Sequence, residues 1–206
     1  MAQRGSYAKG VAKREEILTT ALEVIAREGF RGASVKELAD AVGLSQAGLL
    51  HYFDSKEELF AEILRKRDEV DSAAFGDVSD PSEITLADLE RGYVQVVRHN
   101  ADVAGLVQLF ARLSVDAAEP QHPAHEYFIE RGRTLRRMIT GAVAQAQADG
   151  SVSDRVDADT IARLFQAVAD GLQVQWMLEP DIDMAAAVEA LFELVFAKEH
   201  DTDAAS

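Results

Sequence analysis

The chain has 206 residues, of which 48% are apolar and 28% charged, with a formal net charge of −15 and no cysteine. That balance excludes wholesale disorder, and the missing cysteine excludes disulfide frameworks, thiolate nucleophiles, Cys-ligated zinc and iron–sulfur clusters. Every stretch of 18 residues carries charged or amide side chains and the opening MAQRGSYAKG lacks a secretory apolar run, so the expectation is a soluble cytoplasmic protein with no membrane partner.

Helical spacing dominates, and the prolines at 81, 120, 123 and 180 all fall between periodic segments. The chain therefore reads as all-α, with nine helices. The first spans about Val11 to Glu28, with Ile17, Ala21, Val24 and Ile25 in one stripe beside Leu18 and Leu22. Gly29 suits a left-handed cap, with Phe30 folding back on Ile25. A capping box, Ser34 to Glu37, opens a second helix that stops at Gly43. A third is capped by Ser45 and ends near Phe53. A second box, Ser55 to Glu58, opens a fourth helix through Leu59, Phe60 and Ile63 towards Val70. Ser72–Ser82, small, acidic and broken by Gly76 and Pro81, reads as a linker. Further helices are expected near 84–99, 102–117, 123–148, 157–178 and 183–199, and the closing HDTDAAS is expected to fray.

Charge is unevenly placed. Residues 1–67 hold 11 Lys/Arg against 10 Asp/Glu, and residues 68–206 hold 10 against 26. Arg4, Lys9, Lys13 and Arg14 precede the first acid. One part tolerates a polyanion and the other avoids it, although charge alone equally allows an ordinary acidic protein with a basic terminus.

The second and third helices are too short to stand alone and must pack on their neighbours. Ala39 lets two helices cross closely, Gly43 permits a tight turn, and Leu44 and Leu49 anchor one helix on the other. This is the spacing of a helix-turn-helix, whose second helix enters the DNA major groove. With Leu44, Leu49 and Phe53 inward, Gln46, Ala47, Leu50 and His51 are left outside. Gln46 suits adenine, Ala47 a thymine methyl, and His51 a base or phosphate. Ser34, Lys36, Ser45, Tyr52 and Lys56 gather at helix starts and the rim, where hydroxyls, amides and ammonium groups meet phosphates. A small helical subdomain with Gly43 as a plain helix stop fits the same spacing.

Residues 11–60, and above all GLSQAGLLHYFDSKEELF, resemble the DNA-binding domain of the TetR family of bacterial transcriptional regulators through Gly43, Ser45, Leu49, Tyr52, Phe53, Lys56 and Leu59. The resemblance implies a DNA-binding domain at 1–54 with a basic N-terminal arm, and an effector-binding and dimerisation domain at 55–206 entered through a helix at about 55–70. It makes Ser45 to Tyr52 the recognition helix and Lys56 a phosphate anchor. Leu50 stands where the family commonly has tyrosine, and Gln46 where Lys or Arg is frequent.

Beyond the head, Leu164, Val168, Leu172, Gln175 and Trp176 recur at helical spacing, as do Val188, Leu191, Phe192, Val195 and Phe196. Both stripes suit either a monomer core or a four-helix dimer interface; the resemblance favours a homodimer. It also implies a chamber, for which Tyr93, Leu106, Phe110, Tyr127, Met138, Phe165 and Trp176 are candidate linings, with Gln108, Arg112 and Arg131 to orient a polar ligand. His122, His125 and Glu126 are too few and too interrupted by Pro123 for a zinc site. The basic run from Arg131 to Arg137 reads as a solvated face pairing with acids. No cofactor is expected. No Ser/His/Asp or Glu-x-x-His arrangement and no Gly-rich phosphate loop speaks for an enzyme. The function expected is a ligand-responsive repressor on a near-palindromic operator. A constitutive DNA-binding protein and a dimeric ligand carrier are the rivals.

Overall fold

A computed structural model of the chain describes residues 2–75 and 84–196. Among these residues there are nine α-helices and no strand: α1 (Ala2–Gly32), α2 (Val35–Ala41), α3 (Gln46–Leu50), α4 (Lys56–Phe75), α5 (Leu86–Asp102), α6 (Ala104–Asp116), α7 (His125–Ala148), α8 (Ala158–Leu178) and α9 (Met184–Phe196). No helix among them is long and apolar enough to cross a membrane.

Most boundaries follow local chemistry. Ser34 caps α2 in a reciprocal box with Glu37, and Ser45 caps α3 by accepting from the Gly48 amide at 3.0 Å. Three expectations are corrected. α1 begins at Ala2, so residues 2–10 extend the helix rather than form an arm. Gly29 has φ 76° but ψ 164°, an extended exit rather than a left-handed cap, and the helix resumes to Gly32. α3 ends at Leu50, because the Tyr52 and Phe53 amides turn back to Leu49 and Leu50 at 3.1 and 3.3 Å. Of the expected linker, residues 72–75 belong to α4; its remainder, the end of the last expected helix and the terminal HDTDAAS lie outside the described residues.

The described residues group into two compact units, 2–75 with 99–131 and 84–98 with 132–196. In the first, Ile17, Ala21 and Ile25 of α1 pack with Leu38, Leu49, Leu59, Ile63 and the α6 residues Leu106, Leu109 and Leu113. α6 crosses α1 so closely that a Cβ on Gly105 would lie 2.2 Å from the Ile25 carbonyl oxygen and 2.8 Å from Gly29 Cα. Only glycine fits there.

The same unit encloses a polar cluster along α4. Asp68 accepts from the Tyr127 hydroxyl at 2.7 Å and from Arg131 Nε at 3.1 Å. Arg67, buried, donates to Asn100 and faces Asp71 at 3.5 Å, with His99 Nε2 3.7 Å from the same carboxylate. Burial lowers the Arg67 pKa in spite of Asp71, and raises that of Asp71 in spite of Arg67 and His99. Burial, reinforced by Asp68, also pushes the Tyr127 phenol well above its usual range.

In the second unit, Tyr93, Phe165, Phe192 and Phe196 form a ring cluster on Ile139, Val143, Ile161 and Val188. The Tyr93 hydroxyl donates to the Phe165 carbonyl at 3.1 Å, which satisfies its polar end inside the core. Val188 and Phe192 are core here, so neither forms dimer surface as expected, and Leu172, Leu191, Val195 and Phe196 pack partly against the same cluster. Of the expected interface, Leu164 at 53% exposure and Gln175 face solvent and Val168 is half-buried; Leu178 at 78% and Leu194 at 82%, with Val156 and Val174, are further exposed apolar residues of this unit.

Candidate nucleic-acid interface

Three short-range devices build the head. Leu38 and Ala39 bury the inner face of α2, Gly43 turns the chain at φ 69°, and buried Leu49 seats α3 beneath it. The Leu44 amide closes the turn on the Ala39 carbonyl at 2.9 Å. With Leu49 inward, Gln46 and Ala47 at the start of α3 stand in solvent, as do Ser45 before it and His51 after it. A helix start so presented offers side chains to base edges, as groove-reading helices do.

Not every expected contact is equally free. Lys36 and Lys56 are exposed, and the Lys56 ammonium lies over the Phe60 ring with Nζ 5.5 Å from its centroid. Ser45 spends a lone pair on Gly48, and its hydroxyl proton has no protein acceptor among the described residues. Ser34 differs: its hydroxyl donates to Glu37 and its amide to the same carboxylate at 2.8 Å, so the group expected to meet a phosphate is held against an anion. Leu50 and Tyr52, expected outside, are half-buried against the core, which leaves Leu50 only partly available to a methyl group. His51 meets the Tyr52 ring edge-on at 6.1 Å.

Two cations of α1 that sequence reasoning counted only as charge have internal partners. Lys13 Nζ donates to the Val42 carbonyl at the end of α2, at 3.2 Å, and pairs with Glu16 at 2.8 Å. Arg14 donates to the Tyr52 carbonyl just beyond α3 at 2.5 Å, lies 4.4 Å over the Phe53 ring, and pairs with Glu58 at 3.2 Å and Glu62 at 3.1 Å. Burial works against its charge, but the two glutamates prevail and its pKa is raised. Glu58 in turn accepts from the Asp54 amide, and its own amide donates to Ser55 Oγ at 2.9 Å, starting α4.

The ten residues expected to line a chamber divide between two cores. Leu106, Phe110 and Tyr127 are buried in the first unit, whereas Tyr93 and Phe165, with the partly buried Met138 and Trp176, belong to the second. Gln108 is half-buried. The cations expected to orient a ligand have partners already: Arg131 binds Asp68 and lies 4.8 Å over the Phe110 ring, and exposed Arg112 sits 5.3 Å over Phe30. An open groove of about 390 Å³ in the second unit is lined by Leu86, Glu90, Val152, Phe192 and Phe196, none of them among the ten. His122 Nδ1 accepts from the Ala124 amide at 3.1 Å and the His125 ring nitrogen lies 2.8 Å from the Ala117 carbonyl, so both rings brace the entry to α7. Arg136 pairs with Asp159 at 3.1 Å.

Comparison with known proteins agrees with the geometry at both ends of the chain. Residues 17–63 match the model of bacterial regulatory proteins of the tetR family, and residues 108–197 match that of the C-terminal part of BetI-type transcriptional repressors. The HTH-type transcriptional repressor KstR2 of Mycobacterium tuberculosis is 25% identical over 169 residues, covering 80% of this chain and 81% of its own. The HTH-type transcriptional regulator RutR of Escherichia coli is 40% identical over 55 residues, covering 27% of this chain and 26% of its own. A TetR transcription regulator from Haloarcula marismortui has the same fold, with a TM-score of 0.72 at 20% identity over 90% of this chain and 97% of that one. With its head and its C-terminal region both matched, this chain belongs to the TetR family of bacterial transcriptional regulators.

Proposed function

We propose that the protein is a transcriptional repressor that binds a near-palindromic operator as a homodimer and is released by a small molecule. The observation that carries this is the start of α3, where Gln46 and Ala47 stand in solvent on a turn closed by Gly43 and seated by Leu49. Regulators of this family bind operator DNA, respond to small molecules and act as dimers. Gln46 would read adenine, Ala47 a thymine methyl, and Ser45, Lys36 and Lys56 would hold phosphates. Exposed Leu164, Val174, Leu178 and Leu194 of α8 and α9 support a two-fold interface, since large apolar side chains left in water gain from burial against a partner.

Release would act through α4. Its first turn is tied to the end of α3 through Glu58 and Arg14, while Asp68 and Asp71 farther along it hold Tyr127, Arg131, Arg67 and His99. An effector that favours a displaced α4 by about 1–3 kcal/mol would weaken operator binding roughly 5–150-fold. Selection from a random duplex library with the purified protein tests the proposal. The expected product is a motif of two half-sites about one helical turn, ~34–36 Å, apart. The selected duplex is then challenged with metabolites. No enrichment over bulk competitor in dilute buffer refutes DNA reading, and a motif that no compound releases favours a constitutive binder.

A further inference from the structure

We infer that Arg14 is a positioning residue for sequence recognition: it sets the end of the recognition helix, and with it the aim of Gln46 and Ala47, without touching DNA itself. This rests on the DNA-binding function proposed above.

α3 is five residues long, and a helix that short has no stability of its own. Its N-terminal end is held by the Ser45 hydroxyl and its middle by buried Leu49. Its C-terminal end is closed by the Tyr52 and Phe53 amides on the Leu49 and Leu50 carbonyls and by buried Phe53, and it is this exit that needs a tie to α1 and α4. There Arg14 meets the Tyr52 carbonyl with one guanidinium arm and Glu58 and Glu62 of α4 with the other, and its central carbon lies over the Phe53 ring. A single rigid fork thus joins three elements: α1, the exit from α3 and the first turns of α4. The two carboxylates also neutralise the guanidinium, which removes it from the set of cations offered to a polyanion. Lysine cannot replace it, because one ammonium lacks both the flat face and the second arm. Lys13 gives the contrast: among the described residues its ammonium bonds to the Val42 carbonyl and Glu16.

The test compares Arg14→Lys with wild type on the duplex selected by the wild-type protein and on a scrambled duplex of equal length, across a salt series. The expected result is a loss of roughly tenfold on the selected duplex, the size of one mis-set base contact. Affinity for the scrambled duplex and the salt slope stay unchanged, and the amides of residues 51–53 exchange faster. Equal affinity of variant and wild type for the selected duplex overturns the inference. So does a parallel loss on both duplexes, the mark of a weakened phosphate contact. Should Arg14→Lys fold poorly, Glu62→Gln loosens the same guanidinium from the α4 side and must likewise weaken binding to the selected duplex and not to the scrambled one; equal affinity for the selected duplex overturns the inference. A wild-type protein that selects no motif refutes DNA reading itself, whereas a motif that Arg14→Lys binds normally refutes only the role of Arg14.

Discussion

Gly105→Ala places the crossing of α6 over α1 under direct strain. The added methyl would sit 2.2 Å from the Ile25 carbonyl oxygen, 2.8 Å from Gly29 Cα and 3.0 Å from the Phe30 amide nitrogen. An ordinary carbon–oxygen contact is about 3.3 Å, so α6 must withdraw by roughly 1 Å. All three obstacles are backbone atoms and none can rotate aside. Overpacking of this kind costs about 1–3 kcal/mol, against a helix-propensity gain of at most about 1 kcal/mol for replacing glycine. A net loss of about 2 kcal/mol, with an m-value of about 2 kcal/mol per molar, lowers the urea midpoint by roughly 1 M. Gly92→Ala is the control: its Cβ meets nothing within 4 Å and it lies inside α5, so it should be neutral or stabilise slightly. An unchanged or raised midpoint for Gly105→Ala would refute the close crossing.

Gln46→Ala should change the preference at one base position per half-site by about 1–3 kcal/mol, read by repeating the selection with the variant; an unchanged motif removes that side chain from base reading. Lys56→Ala should weaken binding alike on all sequences and reduce the salt slope by about 0.9 per subunit, and an unchanged slope argues against a phosphate contact. Arg67→Met and Asp71→Asn should each cost about 2–4 kcal/mol by leaving a buried charge without its partner, while the double variant should recover much of that loss in urea unfolding; strictly additive losses would mean the two groups do not interact.

The parts legible in the sequence were those decided within a few residues. The box at Ser34, the cap at Ser45 and the turn at Gly43 depend on side chains a few positions away and occur where the pattern placed them. The box at Ser55 forms only by half, because the Glu58 carboxylate takes the Asp54 amide instead of that of Ser55. Gly29 was only half legible: a glycine there announces positive φ, but what the chain does next depends on Gly105 of α6 packing against it. Which apolar face of α8 is free was not legible for a different reason. α8 carries two apolar stripes, one through Ile161, Phe165 and Leu172, the other through Leu164, Val174 and Leu178, and periodicity does not say which faces inward. The partnership of Asp68 with Tyr127 and Arg131 joins residues about sixty apart and leaves no local trace. Arg67 and Asp71, though four apart on one helix, were not read as a pair because the helix was expected to end near Val70.

Charge arithmetic misled most where it looked simplest. The first 67 residues hold a slight excess of cations, which reads as tolerance of a polyanion. Yet Lys13, Arg14, Arg27, Arg65, Lys66 and Arg67 all pair with carboxylates, and Lys13 and Arg14 also meet the carbonyls that end the two helices of the head. On the helix-turn-helix and the first turn of α4, Lys36 and Lys56 are the cations that stand in solvent with no carboxylate partner among the described residues. A head so sparingly charged, on a chain of net charge −15, gains little from counterion release on arbitrary DNA. Discrimination must then come from geometry, from where α3 points, rather than from the strength of a general attraction. Lys13 and Arg14, distant in sequence but folded against the ends of α2 and α3, thus hold the head in place rather than face the phosphates.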